Sequence, residues 1–328
     1  MRANSPALAA VPNREPLPEN DLEETLPSQN KFFAIVYLCA FLLSVGNGFL
    51  SGKISFIAVD WFAGADCSDV QTNKCDPSIA LSCACKSALS QYALVSGANS
   101  FASLGFSMFV VPFLTRASDC FGRRVFIRVG SVISCWSISV FVYLVTGLKW
   151  SLWLMFVLSF VASQSPASTV SVASILDACP TEDKSKVLGR RAALFVLGNC
   201  VGLAAGYFLS DFQASTACFV CSLLSVAVHL LFWPETLLKR HRVPFTRGAS
   251  NPFRPILFFF HKKSYRYLFL VMLTQQLADA GFRALIFQYT RQAFNAGTSL
   301  FSLALAIFNL ATALMPGVLL QVWHPLSC

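Results

Sequence analysis

Long apolar stretches, each near the length that a helix needs to cross a lipid bilayer, constrain the fold of this chain. A hydrocarbon core of roughly 30 Å requires about 20 apolar residues in a helix. With 55% hydrophobic and 12% charged residues, the composition lies outside the range of a soluble globular chain. The sequence therefore predicts an all-helical, polytopic membrane protein with eight spans, at 32–56, 90–114, 126–147, 151–176, 192–210, 214–233, 267–288 and 298–322.

Basic residues are distributed unevenly over the two sides that these spans define. If the amino terminus lies in the cytosol, Lys and Arg on the cytosolic face outnumber those on the opposite face by sixteen to four. Such a bias sets the orientation of membrane proteins, with the basic loops inside. We therefore interpret the net charge of +9 as an orientation signal in a lipid bilayer and not as a nucleic-acid surface.

The spacing of the spans divides the chain into four parts. Residues 1–30 are polar, acidic and Pro-rich and predict a disordered cytosolic tail. Residues 31–233 predict a six-helix transmembrane bundle, residues 234–265 a basic cytosolic central loop, and residues 266–328 a partial second bundle of two helices. The first residues lack a secretory signal pattern. The expected location is a multi-pass position in the plasma membrane or an internal membrane.

The loop between the second and third spans carries the segment TRASDCFGRRVFI at 115–127. Gly122 would permit a tight turn at the membrane surface. Asp119, Arg123 and Arg124 would make charge-assisted hydrogen bonds between neighbouring helix ends. The alternative is that the two arginines only set the orientation.

This segment resembles the pattern Gly-x-x-x-Asp-Arg-x-Gly-Arg-Arg of the major facilitator superfamily, with Thr115 and Cys120 as departures. The segment ILDACPTEDKSKVLG at 175–189, which includes Asp177, and FWPETL at 232–237 resemble the tetracycline-resistance, hippocampus-abundant-transcript-like and proton-coupled-folate branches. The resemblance implies a major facilitator bundle of a six-helix half plus about two further helices. It also implies a cytosolic gate made of Asp119, Gly122, Arg123, Arg124 and Asp177.

Three glycines in the fifth span, Gly198, Gly202 and Gly206, recur at steps of four and form one stripe. Such a stripe lets a second helix approach closely, and we interpret it as helix packing. The antiporter branches of the family place a Pro where this chain has Leu203. That departure argues against drug–proton antiport.

Polar residues within the spans are candidates for a translocation path. Gln275, Gln276, Asp279 and Arg283 share one face of the seventh span, and an ionisable residue at mid-membrane depth is a functional candidate. The alternative is an internal Asp279–Arg283 ion pair at a helix interface. Asn47 and Gln164 would line the cavity or make interhelical hydrogen bonds.

Four cysteines, Cys67, Cys75, Cys83 and Cys85, lie in the non-cytosolic loop between the first two spans. We expect disulfides from Cys67 and Cys75 to Cys83 and Cys85 if the compartment is oxidising. The loop contains no histidine and fits no zinc pattern, so no metal is expected. No phosphate loop or nucleophile motif occurs, so we predict neither an enzyme nor a cofactor.

These observations predict a secondary transporter of small organic solutes, coupled or not to an ion gradient, that works by alternating access. Because a major facilitator protein normally has two six-helix halves, we expect this chain to be a truncated form of a twelve-helix transporter. The alternatives are a dimer that rebuilds the cavity, and a transport-inactive receptor or regulatory subunit. The oligomeric state and the substrate are left open.

Overall fold

The computed structural model describes residues 29–67, 80–148, 150–237, 242, 263–294, 297 and 300–311. These residues form helices and no β-strand, as the apolar stretches predict. Most of the predicted tail and central loop lies outside the described residues. In chain order the helices are α1 (Gln29–Ser51), α2 (Ile54–Ala63), α3 (Ala80–Phe121), α4 (Arg123–Ile133), α5 (Ser137–Thr146), α6 (Trp150–Ser163), α7 (Ala167–Ala178), α8 (Lys184–Phe208), α9 (Asp211–Phe232), α10 (Lys263–Phe294) and α11 (Leu300–Ala311).

Six segments of the described chain are long and apolar enough to cross a membrane, and they match the first six predicted spans. They are Gln29–Ala63, Ser82–Phe121, Arg123–Thr146, Leu152–Ala178, Lys184–Phe208 and Asp211–Phe232. The seventh predicted span falls within α10, which is not among these six, and the eighth is described only as the short apolar helix α11. Several helices run beyond the predicted spans, because polar flanking residues remain helical outside the apolar window.

Three of the six segments are broken into two helices. α1 and α2 separate at Gly52 and Lys53, and α4 and α5 separate between Ser134 and Trp136. α6 and α7 separate at Pro166, which has no N–H to donate and takes the N-cap position of α7. Each break leaves backbone groups of a membrane segment without their helical partners, and such groups are tolerated where they are buried in protein or line a cavity.

The first membrane segment packs most extensively against α8, through the predicted glycine stripe. Gly48 of α1 faces Gly202 of α8 so closely that a Cβ on Gly48 would lie 2.9 Å from the Gly202 Cα atom and 2.5 Å from the Asn199 carbonyl oxygen. Gly198 and Gly206 face the backbone of α1 on either side of this crossing. The absence of side chains at these positions lets the two backbones touch.

α3 runs from one end of the molecule to the other. Its 42 helical residues span about 63 Å at 1.5 Å per residue. The end at which α3 finishes holds Asp119 and Arg123 and is called the Arg123 end. The end at which α3 starts holds the disulfide between Cys67 and Cys85 and is called the disulfide end. Between them, the outer face of α3 exposes large apolar side chains such as Leu94 and Phe101, as expected of a surface in contact with lipid.

Candidate functional site

Arg123 is the centre of an ion-pair network at the Arg123 end. Its guanidinium donates from Nη1 to Asp119 Oδ1 at 2.7 Å and from Nε to Asp177 Oδ2 at 3.0 Å. Nη1 also donates to the Ser118 hydroxyl at 3.1 Å. The Arg123 side chain is only 8% exposed, whereas both carboxylates are 29% exposed. One buried cation therefore joins the end of α3 to the end of α7.

Glu235, which follows α9, binds the start of α4. Its two carboxylate oxygens accept the backbone N–H groups of Arg123 at 2.9 Å and of Arg124 at 3.3 Å. The first N–H groups of a helix have no partner within the helix, and the helix dipole favours an anion there. Glu235 also lies 3.8 Å from Arg242 and accepts the N–H of Leu237 at 3.1 Å.

Gly122 makes room for this contact. It is the N-cap of α4, with φ at 108° and ψ at 150°, in a region that side-chain-bearing residues rarely adopt. A Cβ at this position would lie 2.6 Å from Glu235 Oε2 and 2.8 Å from Arg242 Nη2. The glycine is therefore required both for the backbone conformation and for the approach of Glu235.

The structure brings Asp119, Arg123 and Asp177 together in one cluster, with Gly122 beside it. Arg124 takes part through its backbone N–H, and within the described part of the chain its guanidinium forms no ion pair. Glu235 was not among the predicted gate residues, although it lies in the segment FWPETL at 232–237. A Pro-Glu pair directly after an apolar helix was the available signal.

The disulfide end is closed by a covalent bond and by aromatic side chains. Cys67 and Cys85 form a disulfide that joins the segment after α2 to α3, and Cys83 is also disulfide-bonded. Cys75 lies outside the described residues. Nearby, Phe56 of α2 contacts Phe287 of α10 with ring centroids 4.9 Å apart, and Phe301 of α11 completes the cluster.

Two cations reinforce the disulfide end. Arg291 of α10 is 3% exposed, donates to the Cys67 carbonyl oxygen and lies over the Phe56 ring at 5.3 Å. Lys53, at the break between α1 and α2, donates to the Leu209 carbonyl oxygen at 2.6 Å and to Asp211 Oδ1 at 2.8 Å. These contacts attach α10 to the first two membrane segments and attach α1 and α2 to the start of α9.

A cavity of about 300 Å³ lies among α1, α4, α6, α7, α8 and α9. Its wall combines apolar side chains such as Val36 and Phe195 with many serine hydroxyls and with two basic residues, Arg191 and His229. None of the described residues that line it is acidic. The breaks between α4 and α5 and between α6 and α7 both contribute to the wall, through Ser134 and Ser165.

The residues predicted to line a path are placed differently. Asn47 is half-buried on α1, outside the lining of this cavity. Gln164 lies at the break between α6 and α7, where its Nε2 donates to the Ser103 carbonyl oxygen at 3.2 Å and so joins α3 to this break. Gln275 is exposed on α10. The side chains of Gln276, Asp279 and Arg283 lie outside what the structure describes.

Arg191 and His229 were not predicted as site residues. Arg191 falls just outside the fifth predicted span, which begins at residue 192, whereas α8 begins at Lys184. His229 is one of four histidines in the sequence, and only the packing of α9 against α1 and α4 reveals its surroundings. In the described part of the chain, no group of three or more His, Cys, Asp or Glu residues is arranged to hold a metal ion.

Comparison with known proteins agrees with this architecture. The profile of the Major Facilitator Superfamily matches residues 77–325. A comparison with curated proteins finds no match. Among solved structures, the human organic anion transporter MFSD10 (TETRAN) is similar, with 17% sequence identity and a TM-score of 0.61 over 89% of this chain and 72% of that chain. At this identity the likeness concerns the fold. Because the family profile covers well over half of the residues, the chain belongs to the Major Facilitator Superfamily of membrane transporters.

Proposed function

We propose that this chain is a secondary active transporter of small organic solutes that works by alternating access. The observation that carries the proposal is that separate sets of contacts hold the helices together at the two ends of the molecule, while a cavity lies among the helices. The Arg123 network joins α3, α4 and α7 at one end, and the Phe56 cluster joins α2 to α10 and α11 at the other. Alternating access requires that one such layer open while the other remains closed.

In this proposal Asp119, Gly122, Arg123, Arg124 and Asp177 form the gate at the Arg123 end, and Glu235 is added to it. The contacts are hydrogen bonds and ion pairs between partly exposed carboxylates and one buried guanidinium. When the helix ends separate, water can replace the lost partners of Asp119 and Asp177, which already reach solvent. The excess of Lys and Arg at this end supports a cytosolic position for the gate.

The solute path and the driving force are further parts of the proposal. On sequence grounds, Gln275, Gln276, Asp279 and Arg283 remain predicted to face the path, together with Asn47 and Gln164. An ion gradient is the driving force that we propose. Uptake measured with and without an imposed pH or sodium gradient tests this part independently of the gate.

The gate is tested by transport in proteoliposomes that contain the full chain. Uptake is measured for a panel of radiolabelled organic acids, amines and neutral solutes, against empty liposomes. Asp119→Asn preserves the shape of the side chain but removes the charge that pairs with Arg123 at 2.7 Å. We expect it to reduce uptake at least tenfold. Asp183→Asn is the matched control, because Asp183 pairs only at the surface with Lys186, where both side chains are more than half exposed.

Two outcomes would contradict the proposal. If no solute in the panel enters the proteoliposomes above the level of empty liposomes, the proposed transport function is wrong. If the Asp119→Asn variant takes up solute as fast as the unaltered chain, the proposed gate is wrong. A gate at the Arg123 end should not tolerate the loss of an ion pair to its central cation. A chain that binds solutes without uptake would match the alternative of a receptor or regulatory subunit.

A further inference from the structure

Arg191 is a cation in a cavity whose described lining offers it no anion. It lies seven residues after the start of α8, about 10 Å along a helix long enough to cross a membrane. Among the described residues, no carboxylate forms an ion pair with Arg191, and Nη2 donates to the Ser171 hydroxyl at 3.0 Å. A guanidinium has five N–H donors, so most of them are left for another acceptor.

An unpaired cation at this position is costly. Charged side chains within membrane segments are expensive unless they are paired or face water, and for this reason they mark functional sites. Elsewhere in the described chain the buried cations have partners, as Arg123 does with Asp119 and Asp177 and Lys53 does with Asp211. Arg191 is half-buried, and it faces a cavity and not a carboxylate.

His229 supplies a second nitrogen on the same wall. The residue is more than nine-tenths buried, and its ring stacks on Trp233 with centroids 5.2 Å apart. Nδ1 lies 2.7 Å from the Ser225 carbonyl oxygen, which can only accept, so Nδ1 carries the proton. Nε2 forms no hydrogen bond to the described residues and is left for a ligand. The backbone contact and the stacking fix the orientation of the ring.

The serine hydroxyls around Arg191 present acceptors. Ser134 and Ser165 both donate to the Gly130 carbonyl oxygen, at 2.8 and 2.9 Å, and Ser171 donates to the Ser168 carbonyl oxygen at 2.8 Å. Because their protons are used, their remaining lone pairs can accept from a hydroxyl or amide on a ligand. Two of these serines belong to helix breaks, which hold the wall in a fixed shape.

We propose that Arg191 and His229 bind a small organic carboxylate in this cavity. The Arg191 guanidinium pairs with the carboxylate of the ligand. His229 Nε2 accepts a hydrogen bond from a hydroxyl or amide group of the ligand. The apolar wall formed by Val36, Phe195 and Trp233 packs against the carbon skeleton of the ligand. A volume of about 300 Å³ suits a small molecule of this class. The binding site stands on its own geometry. Naming the carboxylate as the transported solute rests on the transport function proposed above.

The test is equilibrium binding to the purified full chain in detergent micelles. The probes are radiolabelled lactate, 3-hydroxybutyrate and mandelate, whose hydroxyl groups can donate to His229 Nε2 or to a serine oxygen, each compared with its uncharged amide. We expect at least one carboxylate to bind saturably and its amide to bind at least tenfold more weakly. Arg191→Gln should weaken carboxylate binding at least tenfold, since it removes a charge-assisted contact. Arg191→Lys should retain an intermediate affinity.

Matched variants separate the site from general damage. Arg190→Gln changes the neighbouring residue, which is exposed and lines a separate surface cleft with Lys186, and it should bind like the unaltered chain. If Arg191→Gln does not fold, Ser171→Ala and His229→Gln test the same wall, and each should weaken binding several-fold. The proposal is overturned if none of the three carboxylates binds saturably, or if the variants at 171, 191 and 229 that fold bind them as well as the unaltered chain.

The same variants distinguish this site from the transport function. Carboxylate binding that depends on Arg191, without uptake into proteoliposomes, would support the binding site and contradict the transport function. Carboxylate uptake that Arg191→Gln leaves unchanged would keep transport and remove the site.

Discussion

The two ends of this molecule are held together by different kinds of contact. At the Arg123 end, one buried guanidinium and one glutamate connect the ends of four helical segments through hydrogen bonds and ion pairs. At the disulfide end, a covalent bond and the rings of Phe56, Phe287 and Phe301 hold α2, α3, α10 and α11. Contacts between charges depend on geometry and on water, whereas aromatic packing and a disulfide depend mainly on burial and chain connectivity.

This difference predicts how each end responds to change. Removing one partner from a buried ion pair leaves the others uncompensated in a medium that solvates charge poorly. Removing one ring from an aromatic cluster leaves a cavity that neighbouring apolar groups can partly fill. The stability of the Arg123 end should therefore fall when a single charge is removed. The stability of the disulfide end should fall when side-chain volume or the covalent link is removed.

The largest effect is expected for Arg123→Gln. Asp119, Asp177 and Ser118 would together lose three hydrogen bonds from a charged guanidinium that is only 8% exposed, and the loss should lower the free energy of unfolding by about 3–5 kcal/mol. Thermal unfolding in detergent micelles measures the change. Arg124→Gln is the control, because it keeps the backbone N–H that binds Glu235 and should have a small effect. Equal destabilisation by the two variants would contradict the central position of Arg123.

Phe287→Ala should be the strongest single change at the disulfide end. Phe287 is 4% exposed and contacts the rings of Phe56, Tyr92 and Phe301. Truncation should cost about 3 kcal/mol, and the same unfolding assay measures it. Phe294→Ala, at an exposed position of the same helix, should cost much less. If both variants unfold at the same temperature, the aromatic cluster does not hold α10 in place.

Reduction of the disulfide should have a somewhat smaller effect. Cys67 and Cys85 are 18 residues apart, and cross-linking a loop of this size stabilises a folded chain by about 2–3 kcal/mol. Cys85→Ser should lower the unfolding temperature and should also make α10 easier to cleave by protease. Cys120→Ser, which removes a free thiol near the Arg123 end, is the control. An unchanged unfolding temperature after Cys85→Ser would show that the aromatic cluster alone closes this end.

Gly122→Ala, at the Arg123 end, should have the smallest effect of the four substitutions. It should lower the free energy of unfolding by about 1–3 kcal/mol. The added methyl group meets Glu235, and the backbone must keep φ at 108°. Gly189→Ala lies in α8 with open space around it, so it should be neutral or slightly stabilising. Opposite signs for the two alanines in the unfolding assay would support the geometric role of Gly122. Equal signs would argue against it.

Hydrophobicity and spacing in the sequence determined the helical membrane fold. Apolar stretches of about 20 residues have few other stable arrangements in a bilayer, because every backbone group must be paired within the segment. The resemblance of residues 115–127 to the major facilitator pattern pointed to Asp119, Gly122 and Arg123, and a turn between two spans gives a physical reason for a glycine and for charges at the surface. The glycines at 198, 202 and 206 were likewise identified as one face of α8 by their spacing.

Tertiary structure alone decided which distant residues meet. Glu235 binds the start of α4 from more than a hundred residues away, and Arg191 and His229 share a cavity because α8 and α9 pack around α1. The sequence predicted Arg191 just before a span because a charged residue usually ends an apolar window, whereas α8 begins at Lys184 and places Arg191 on the wall of the cavity. Pairwise contacts depend on how helices rotate and cross, and helical periodicity fixes one face of each helix without fixing its neighbour.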